Sequence, residues 1–187
     1  MRYENEKAYR LISPRILILV TTVDILDGID AMPTTFVAPV SFKPPLVMVS
    51  IPPKSNTYDN ILDKKEFVIN VLPSLYVTKV LKCGKHFPKG FNKLQQAGLN
   101  WYSSEKVKVP RVKEAKIWLE CRFVGGLQID HLRSTDHVPM LGEVITAEVS
   151  DDVVTEGRVD MKKLSPAMHI TSESFAVGFE IVKKKVA

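Results

Sequence analysis

Cysteine is scarce in this chain, and its scarcity excludes several classes of small protein. Cys83 and Cys121 are the two cysteines among 187 residues, and they lie far apart in the sequence. They form neither a C-x-x-C motif nor a metal-ligand spacing, so we expect no disulfide scaffold, no zinc site and no iron–sulfur cluster. A reducing compartment, the cytoplasm, is the expected location.

Long apolar runs and strong basic stretches are also missing. No segment approaches the ~18 consecutive apolar residues of a membrane span. The charged beginning, MRYENEKAYR, contains no apolar core of signal-peptide length. The net charge is +5, and Lys183, Lys184 and Lys185 supply three of these charges. We therefore expect no membrane and no nucleic acid as a partner, whereas small anionic ligands fit the mild positive charge.

The sequence lacks the short motifs of several common active sites. There is no G-x-G-x-x-G, no G-x-x-x-x-G-K-[ST] and no G-x-S-x-G. The histidines are scattered and show no H-x-H or i, i+4 spacing, so no metal site is predicted. They are His86, His131, His137 and His169.

A strand followed by a helix is predicted within residues 41–60, SFKPPLVMVSIPPKSNTYDN. Leu46–Ile51 is a short apolar run between two proline pairs, which is typical of a buried strand. The polar turn Lys54-Ser55-Asn56-Thr57 then opens a helix, whose N-terminus favours an anion. From these residues alone the turn is either a phosphate site or an ordinary N-cap by Ser55 or Asn56 beside a solvated lysine.

The rest of the chain is dominated by β-branched segments between turn signals. Strands are predicted at Ile16–Val23, Ile29–Val40, Leu46–Ile51, Glu66–Leu72, Ile117–Val124 with a continuation at Leu127–Ile129, Val138–Val149 and Phe175–Val182. Helices are predicted at Glu4–Leu11, at Thr57–Lys64 and twice between Pro73 and Gly98. The first three strands suggest an antiparallel meander with a hairpin turn at Asp27-Gly28. No repeat or linker divides residues 1–187, so we predict one mainly β domain, a closed antiparallel barrel with a few inserted helices.

Cys83 lies in a predicted surface loop rich in glycine, proline and lysine. Lys82, Lys85 and His86 are its close neighbours in sequence and would lower the pKa of a thiol that they faced. The simpler interpretation, which we favour, is a half-buried loop cysteine.

Six segments, in this order along the chain, resemble the flavin reductase-like, FMN-binding split-barrel family, especially its flavoredoxin and archaeal ferric-reductase branch. They are LISPRILILVTTVD (11–24), TTFVAPVSFKPPLVMVSI (34–51), PKSNTYDNILDKKEFVINV (53–71), FNKLQQAGL (91–99), VPRVKEAKIWLEC (109–121) and DHVPMLGEV (136–144). The resemblance implies a six-stranded Greek-key split β-barrel that forms a homodimer, with FMN near the subunit interface.

The resemblance also implies which residues hold FMN. The phosphate-binding turn corresponds to Ser50, Lys54, Ser55 and Thr57, which favours the phosphate interpretation over the N-cap. The flavin-facing segment corresponds to residues 31–37. Within it Thr34, Thr35 and Phe36 flank the isoalloxazine, Ala31 begins the segment, and either Phe36 or Val37 fills the family's aromatic position.

Three further residues enter the predicted site through the same resemblance. Lys93 corresponds to the lysine of a D-K-F-like motif and would reach flavin oxygens or the phosphate. His137 corresponds to the histidine of a G-D-H motif, with Thr135 in place of the glycine, and would lie where flavin and nicotinamide meet. His169 lies where relatives often place a ring near the flavin.

The function implied is that of a flavoprotein oxidoreductase. NADH or NADPH would pass hydride to FMN, and the electrons would continue to free flavin, ferric iron or a protein acceptor. His137 is the side chain predicted at the hydride site, and no dedicated acid–base pair is required. Two alternatives stay open: an FMN-containing electron carrier without a nicotinamide site, and an FMN-storage or structural homodimer.

Overall fold

Strands dominate the computed structural model, which describes residues 2–126, 135–178 and 180–181. The strands are β1 (Arg15–Ile16), β2 (Ile18–Val23), β3 (Ile29–Thr34), β4 (Val37–Ser41), β5 (Leu46–Ile51), β6 (Glu66–Val71), β7 (Trp101–Tyr102), β8 (Arg111–Val112), β9 (Ile117–Gly126), β10 (Val138–Val149), β11 (Val154–Thr155), β12 (Arg158–Val159), β13 (Met168–Thr171) and β14 (Ser174–Ala176). The helices are α1 (Asn56–Lys64), α2 (Val77–Lys82), α3 (Lys93–Ala97) and α4 (Met161–Leu164), with 3₁₀ turns at Asn5–Leu11, Ser74–Tyr76 and Asp151–Val153. The predicted mainly β class with few helices is confirmed.

Seven antiparallel strands, one more than the resemblance implies, form the main sheet, in the order β3-β2-β6-β9-β10-β5-β4. The edge strands are thus β3 and β4, although only Thr35 and Phe36 separate them in the chain. Three Cα–Cα steps cover at most about 11 Å, so the two edges must lie close together. The sheet therefore curls into a barrel, and the backbone N–H of Ser50 in β5 donates to the Phe36 carbonyl at 2.9 Å beside this junction.

The predicted three-strand meander is wrong at its second strand. The hairpin at Asp27-Gly28 forms as expected and pairs β2 with β3. The segment Ile29–Val40, however, is two strands, and its second half pairs with β5 at the opposite edge of the sheet. Because Pro39 donates no backbone hydrogen bond, an edge position suits this second half.

The C-terminal strand is shorter than predicted. β14 ends at Ala176, and Gly178 follows with a φ of +80°, a left-handed conformation that an extended strand does not contain. Phe179, Val182, the continuation at Leu127–Ile129 and His131 lie outside the described residues. Within the described ranges, no helix is both long and apolar enough to cross a membrane.

The strands at the centre of the sheet are buried on both faces. One face contributes Ile18, Val20 and Phe67 to a cluster that also contains Ile61 of α1. The other face contributes Leu19 to a second cluster that α2 and α3 cover. Full burial of a side chain of this size contributes about 1.5–3 kcal/mol, so both clusters hold the barrel and its helices together.

A buried ion pair links β8 to β9. Arg111 Nη2 lies 2.6 Å from Glu120 Oε1, and both side chains are almost completely buried. Glu120 also accepts the backbone N–H groups of Glu105 and Lys106, at 2.8 and 2.7 Å. Desolvation raises the pKa of Glu120, but these hydrogen bonds and Arg111 outweigh it and hold the pKa below its ordinary value.

Candidate functional site

Two cavities lie side by side at the end of β3, and most of the predicted site residues line them. The smaller cavity, about 290 Å³, includes Met32, and the larger, about 520 Å³, includes Pro33. A Cβ on Gly84 would lie 3.2 Å from Pro33 Cγ, so glycine lets the chain after α2 approach β3 closely. A third cavity of about 600 Å³, near the β2–β3 turn, contains none of the predicted residues.

The smaller cavity is rich in positive charge, and we call it the cationic cavity. It is lined by Met32, Pro52, Lys54, Ser55, Asn56, Thr57, Cys83, Gly84, Lys85, His86 and Lys93. It lies at the N-terminus of α1, where the first N–H groups of a helix have no partner within the helix. The cavity therefore joins lysine side chains to the positive end of a helix dipole, an arrangement that attracts anions.

Ser55 fixes the beginning of α1. Its Oγ accepts the backbone N–H of Tyr58 at 3.2 Å and donates to the Pro52 carbonyl at 2.7 Å. The N-cap interpretation is thus confirmed for Ser55. Lys54 beside it is exposed and, among the described residues, makes no ion pair, so its charge is available to a ligand.

Thr57 and Lys93 line the same cavity but already have a common partner, Asp30. Thr57 Oγ1 lies 2.5 Å from Asp30 Oδ2, and Lys93 Nζ lies 2.7 Å from Asp30 Oδ1. Thr22 Oγ1 lies 3.4 Å from the same carboxylate, and Asn60 donates to Thr22 at 3.0 Å. Our reading of the sequence missed Asp30, although an acidic residue between Ile29 and Ala31 of a buried strand is a signal that could have been used.

Three predicted residues are not brought to either cavity. Ala31 is completely buried in the core and pairs with Thr21 in β2. Ser50 is buried in β5, where it bonds to the Phe36 carbonyl through its backbone. Val37 begins β4 and packs into the barrel core. The sheet register fixes all three, so the assignment of their side chains to a ligand is not supported.

The larger cavity is lined mainly by rings and hydroxyl groups, and we call it the aromatic cavity. It is lined by Glu6, Tyr9, Leu17, Pro33, Thr34, Thr35, Phe36, Leu81, Asp136, His137, His169, Ser172 and Phe175. The Phe36 ring lies between two other lining rings in contact with it: its centroid is 5.1 Å from that of His137 and 5.9 Å from that of Tyr9. Of the two aromatic-position candidates, Phe36 is therefore the one at the cavity. The Thr34 hydroxyl accepts the Phe36 N–H at 3.1 Å and fixes this turn.

Arg15, which our reading of the sequence missed, connects the walls of the aromatic cavity. Its Nε donates to Thr35 Oγ1 at 3.3 Å, and its guanidinium lies 5.7 Å from the Phe36 ring. Its Nη2 lies 3.3 Å from His169 Nδ1. Because a guanidinium only donates, Nδ1 accepts, and His169 Nε2 carries the proton that bonds to the Ser172 carbonyl at 3.0 Å. Both ring nitrogens are thus occupied, and His169 can offer a ligand only its ring.

His137 is less constrained than His169. Its Nδ1 lies 3.3 Å from Asp136 Oδ1, and about a third of its side chain is exposed. The Thr135 hydroxyl donates to the His137 carbonyl at 2.8 Å and so closes the corner that a glycine was expected to form. The ring can therefore reach a ligand in the aromatic cavity.

Cys83 is completely buried, so its description as a half-buried loop residue is wrong. Desolvation raises its pKa to about 12, with Lys93 lowering it and Asp30 raising it to smaller extents. Its burial argues against an activated thiol at this position. In the described part of the chain, no group of three or more His, Cys, Asp or Glu is placed to hold a metal ion.

Comparison with known proteins identifies the family. The profile of the flavin reductase like domain matches residues 10–177. An uncharacterised protein of Aquifex aeolicus is 32% identical over 183 residues, which cover 94% of this chain and 90% of the relative.

Solved structures agree with this match. Nitrilotriacetate monooxygenase component B from Bacillus cereus is 25% identical with a TM-score of 0.88, over 98% of this chain and 95% of its own. Flavoredoxin of Desulfovibrio vulgaris is 22% identical with a TM-score of 0.81, over 91% and 90% of the two chains, and shows the shared fold. A candidate flavin reductase with a split barrel domain from Shewanella frigidimarina has a TM-score of 0.84 at 18% identity, over 99% and 94%. The predicted split barrel is thus confirmed, and the chain belongs to the flavin reductase-like domain family.

Proposed function

We propose that this chain binds FMN and acts as an oxidoreductase, taking hydride from NADH or NADPH and passing electrons to free flavin, ferric iron or a protein. One observation carries the proposal: a cationic cavity and an aromatic cavity adjoin at residues 32–36. FMN has one phosphate group at one end and one isoalloxazine ring at the other, which matches this pair. The turn at residues 54–57 provides one phosphate-binding turn, and the sequence contains no dinucleotide fingerprint, which favours FMN over FAD.

Each part of the site has a role in this proposal. FMN, when bound, supplies hydride and electron transfer at its ring, so the protein provides position and environment. Lys54 and the first N–H groups of α1 bind the phosphate. Phe36 and His137 bound the ring, and Arg15 fixes Thr35 and His169 around it.

The flavin itself provides the first test. Purified protein should show a flavin absorption spectrum, and heating should release FMN rather than FAD. Under anaerobic conditions NADH or NADPH should then bleach the bound flavin without any other protein. Recovery of FAD, or a colourless protein that takes up no added FMN, would contradict the proposal.

A second candidate function is that of an electron carrier without a nicotinamide site. It is favoured by the 3₁₀ turn Asn5–Leu11, whose residues Glu6 and Tyr9 line the aromatic cavity. In this alternative the turn takes up the space beside the flavin that a nicotinamide would need. Arg15 Nη1 holds this turn through the Tyr9 carbonyl at 2.6 Å. In a carrier, dithionite would reduce the flavin, whereas NADH and NADPH would leave it oxidised.

His137→Ala is expected to keep most FMN binding but to slow reduction by NAD(P)H. The ring can donate a hydrogen bond to flavin or to the nicotinamide amide, and its loss should slow the step by about tenfold or more, equivalent to ~1.4 kcal/mol in the barrier. Stopped-flow reduction at saturating FMN measures this rate.

The matched control is His86→Ala, which removes an exposed histidine from the cationic cavity. This variant should be reduced at the wild-type rate once FMN is saturating. If His137→Ala is also reduced at the wild-type rate, His137 is structural, and the hydride site loses its one proposed side chain.

We also propose a homodimer. The edge strand β4 and the turn after it expose Val40 and Phe42, the latter 95% exposed, and a second copy could cover them. Light scattering at micromolar concentration should give about twice the chain mass of 21.0 kDa. A monomer that retains FMN would show that one chain suffices for the site.

A further inference from the structure

We propose that Asp30 is a specificity-determining residue, an internal anion that competes with the flavin phosphate for Thr57 and Lys93 and so keeps the flavin exchangeable. This inference rests on the proposed function, because it concerns the phosphate end of the same site. It assigns a role to a buried carboxylate that lies behind the cationic cavity without lining it.

Asp30 is the centre of a buried polar cluster. It is 3% exposed, Thr57 is 1% exposed, and Lys93 is 8% exposed. Lys93 Nζ forms an ion pair with Oδ1, at 2.7 Å, and the Thr57 hydroxyl donates a hydrogen bond to Oδ2, at 2.5 Å. Both residues line the cavity, so the residues expected to hold a phosphate already interact with a carboxylate.

The hydrogen-bond direction at Thr57 follows from the chemistry of the pair. An ionised carboxylate only accepts, so the single hydroxyl proton of Thr57 points to Asp30. The hydroxyl then has no proton left to donate to a phosphate oxygen. A bound phosphate must therefore take the Thr57 proton away from Asp30 or do without it.

Lys93 is affected through its charge. Its ammonium group has three N–H donors, which phosphate oxygens could accept. Its positive charge, however, is balanced by a carboxylate 2.7 Å away, whereas Lys54 has no such partner among the described residues. The cavity therefore attracts a phosphate less strongly than its three lysines suggest, and Asp30 adds a like charge that opposes the phosphate.

The consequence is a moderated affinity. A flavin held without this competition would dissociate slowly and behave as a permanent cofactor. With Asp30 in place, part of the contribution of the phosphate group to the binding of FMN is offset, so FMN can dissociate and rebind. Asp30 thus favours a protein that exchanges flavin with its surroundings.

The test is Asp30→Asn, measured as the ratio of the dissociation constants of riboflavin and FMN. Riboflavin lacks the phosphate group, so the ratio reports the contribution of the phosphate group to binding. A loss of structure that weakens the binding of both flavins equally leaves the ratio unchanged. Because the substitution removes a like charge and releases Lys93, the ratio should rise by at least about tenfold. FMN dissociation, followed by fluorescence after dilution, should slow accordingly.

Asp152→Asn is the matched control, since it also removes an aspartate from a lysine pair, at the exposed Lys116–Asp152 contact. Its ratio should equal that of the wild type.

A double variant keeps the test possible if Asp30→Asn does not fold. Asp30→Asn combined with Lys93→Met replaces the buried ion pair by neutral residues, a change that proteins often tolerate. Its ratio should stay within about threefold of the wild type, because the two charges cancel.

The outcomes separate this inference from the proposed function. An unchanged or lower ratio in Asp30→Asn overturns the inference, and so does a tenfold fall in the double variant. If wild-type protein binds FMN no better than riboflavin, or binds neither, the proposed phosphate site itself fails.

Discussion

Lys54→Ala should raise the dissociation constant of FMN about 10- to 150-fold, because a hydrogen bond to a charged group contributes ~1.5–3 kcal/mol. Lys54 is exposed at the N-terminus of α1, and no other described residue neutralises it by an ion pair. It therefore contributes its full charge to the cationic cavity, unlike Lys93. Fluorescence titration of the apoprotein with FMN and with riboflavin measures the effect.

The control is Lys64→Ala, which removes an exposed lysine from the other end of the same helix. The affinity for FMN should not change in Lys64→Ala. The affinity for riboflavin should change in neither Lys54→Ala nor Lys64→Ala. Equal losses for both flavins in Lys54→Ala would indicate a disturbed helix. If Lys54→Ala loses no affinity for FMN, the turn is only the N-cap of α1, and Lys54 is a solvated side chain.

The largest expected effect on stability is that of Arg111→Met. Arg111 is 2% exposed, and it bonds to Glu120, which is completely buried, and to Glu148. Removal of the guanidinium leaves the Glu120 carboxylate without its cation, which should lower the free energy of unfolding by about 3–5 kcal/mol. Urea denaturation of the apoprotein, with a two-state fit, provides the measurement.

A second variant separates the lost charge from lost packing. In Arg111→Met with Glu120→Gln, the glutamine oxygen can still accept an N–H of Glu105 or Lys106, and no buried charge is left unpaired. This double variant should recover most of the stability. If it is as unstable as Arg111→Met alone, then packing of the arginine against the rings of Tyr102 and Trp118 is the main contribution.

The sequence predicted best those features that depend on neighbouring residues. Asp27-Gly28 turns the β2–β3 hairpin, Ser55 caps α1, and Gly98 ends α3 with a φ of +73°. In each case the residue type imposes the local backbone conformation or supplies the local hydrogen bond. These signals lie within a few residues and do not require knowledge of the fold.

Pairing between distant segments was predicted less well. The assumption that successive strands are neighbours failed at Ile29–Val40, because the chain passes from one edge of the sheet to the other. Only the closure of the barrel makes that passage short. Nothing local to Thr35 and Phe36 indicates it.

The candidate site shows the same division. Lys54, Phe36 and His137 were found through short segments that resemble a family, and the structure brings them to the two cavities. Arg15 and Asp30 were missed because their partners, such as His169 and Lys93, are distant in sequence. Each is a charged residue beside apolar strand residues, and only the assembled barrel shows what it contacts.

The short connection between the two sheet edges limits how this protein can be re-engineered. Thr35 and Phe36 line the aromatic cavity and at the same time hold the barrel closed. An insertion or a bulky exchange there would change ligand selectivity and open the seam of the barrel together. Glu6 and Tyr9 line the same cavity from a surface turn in which no residue is buried. Libraries that seek a new ligand selectivity should therefore randomise this turn and keep the connection intact.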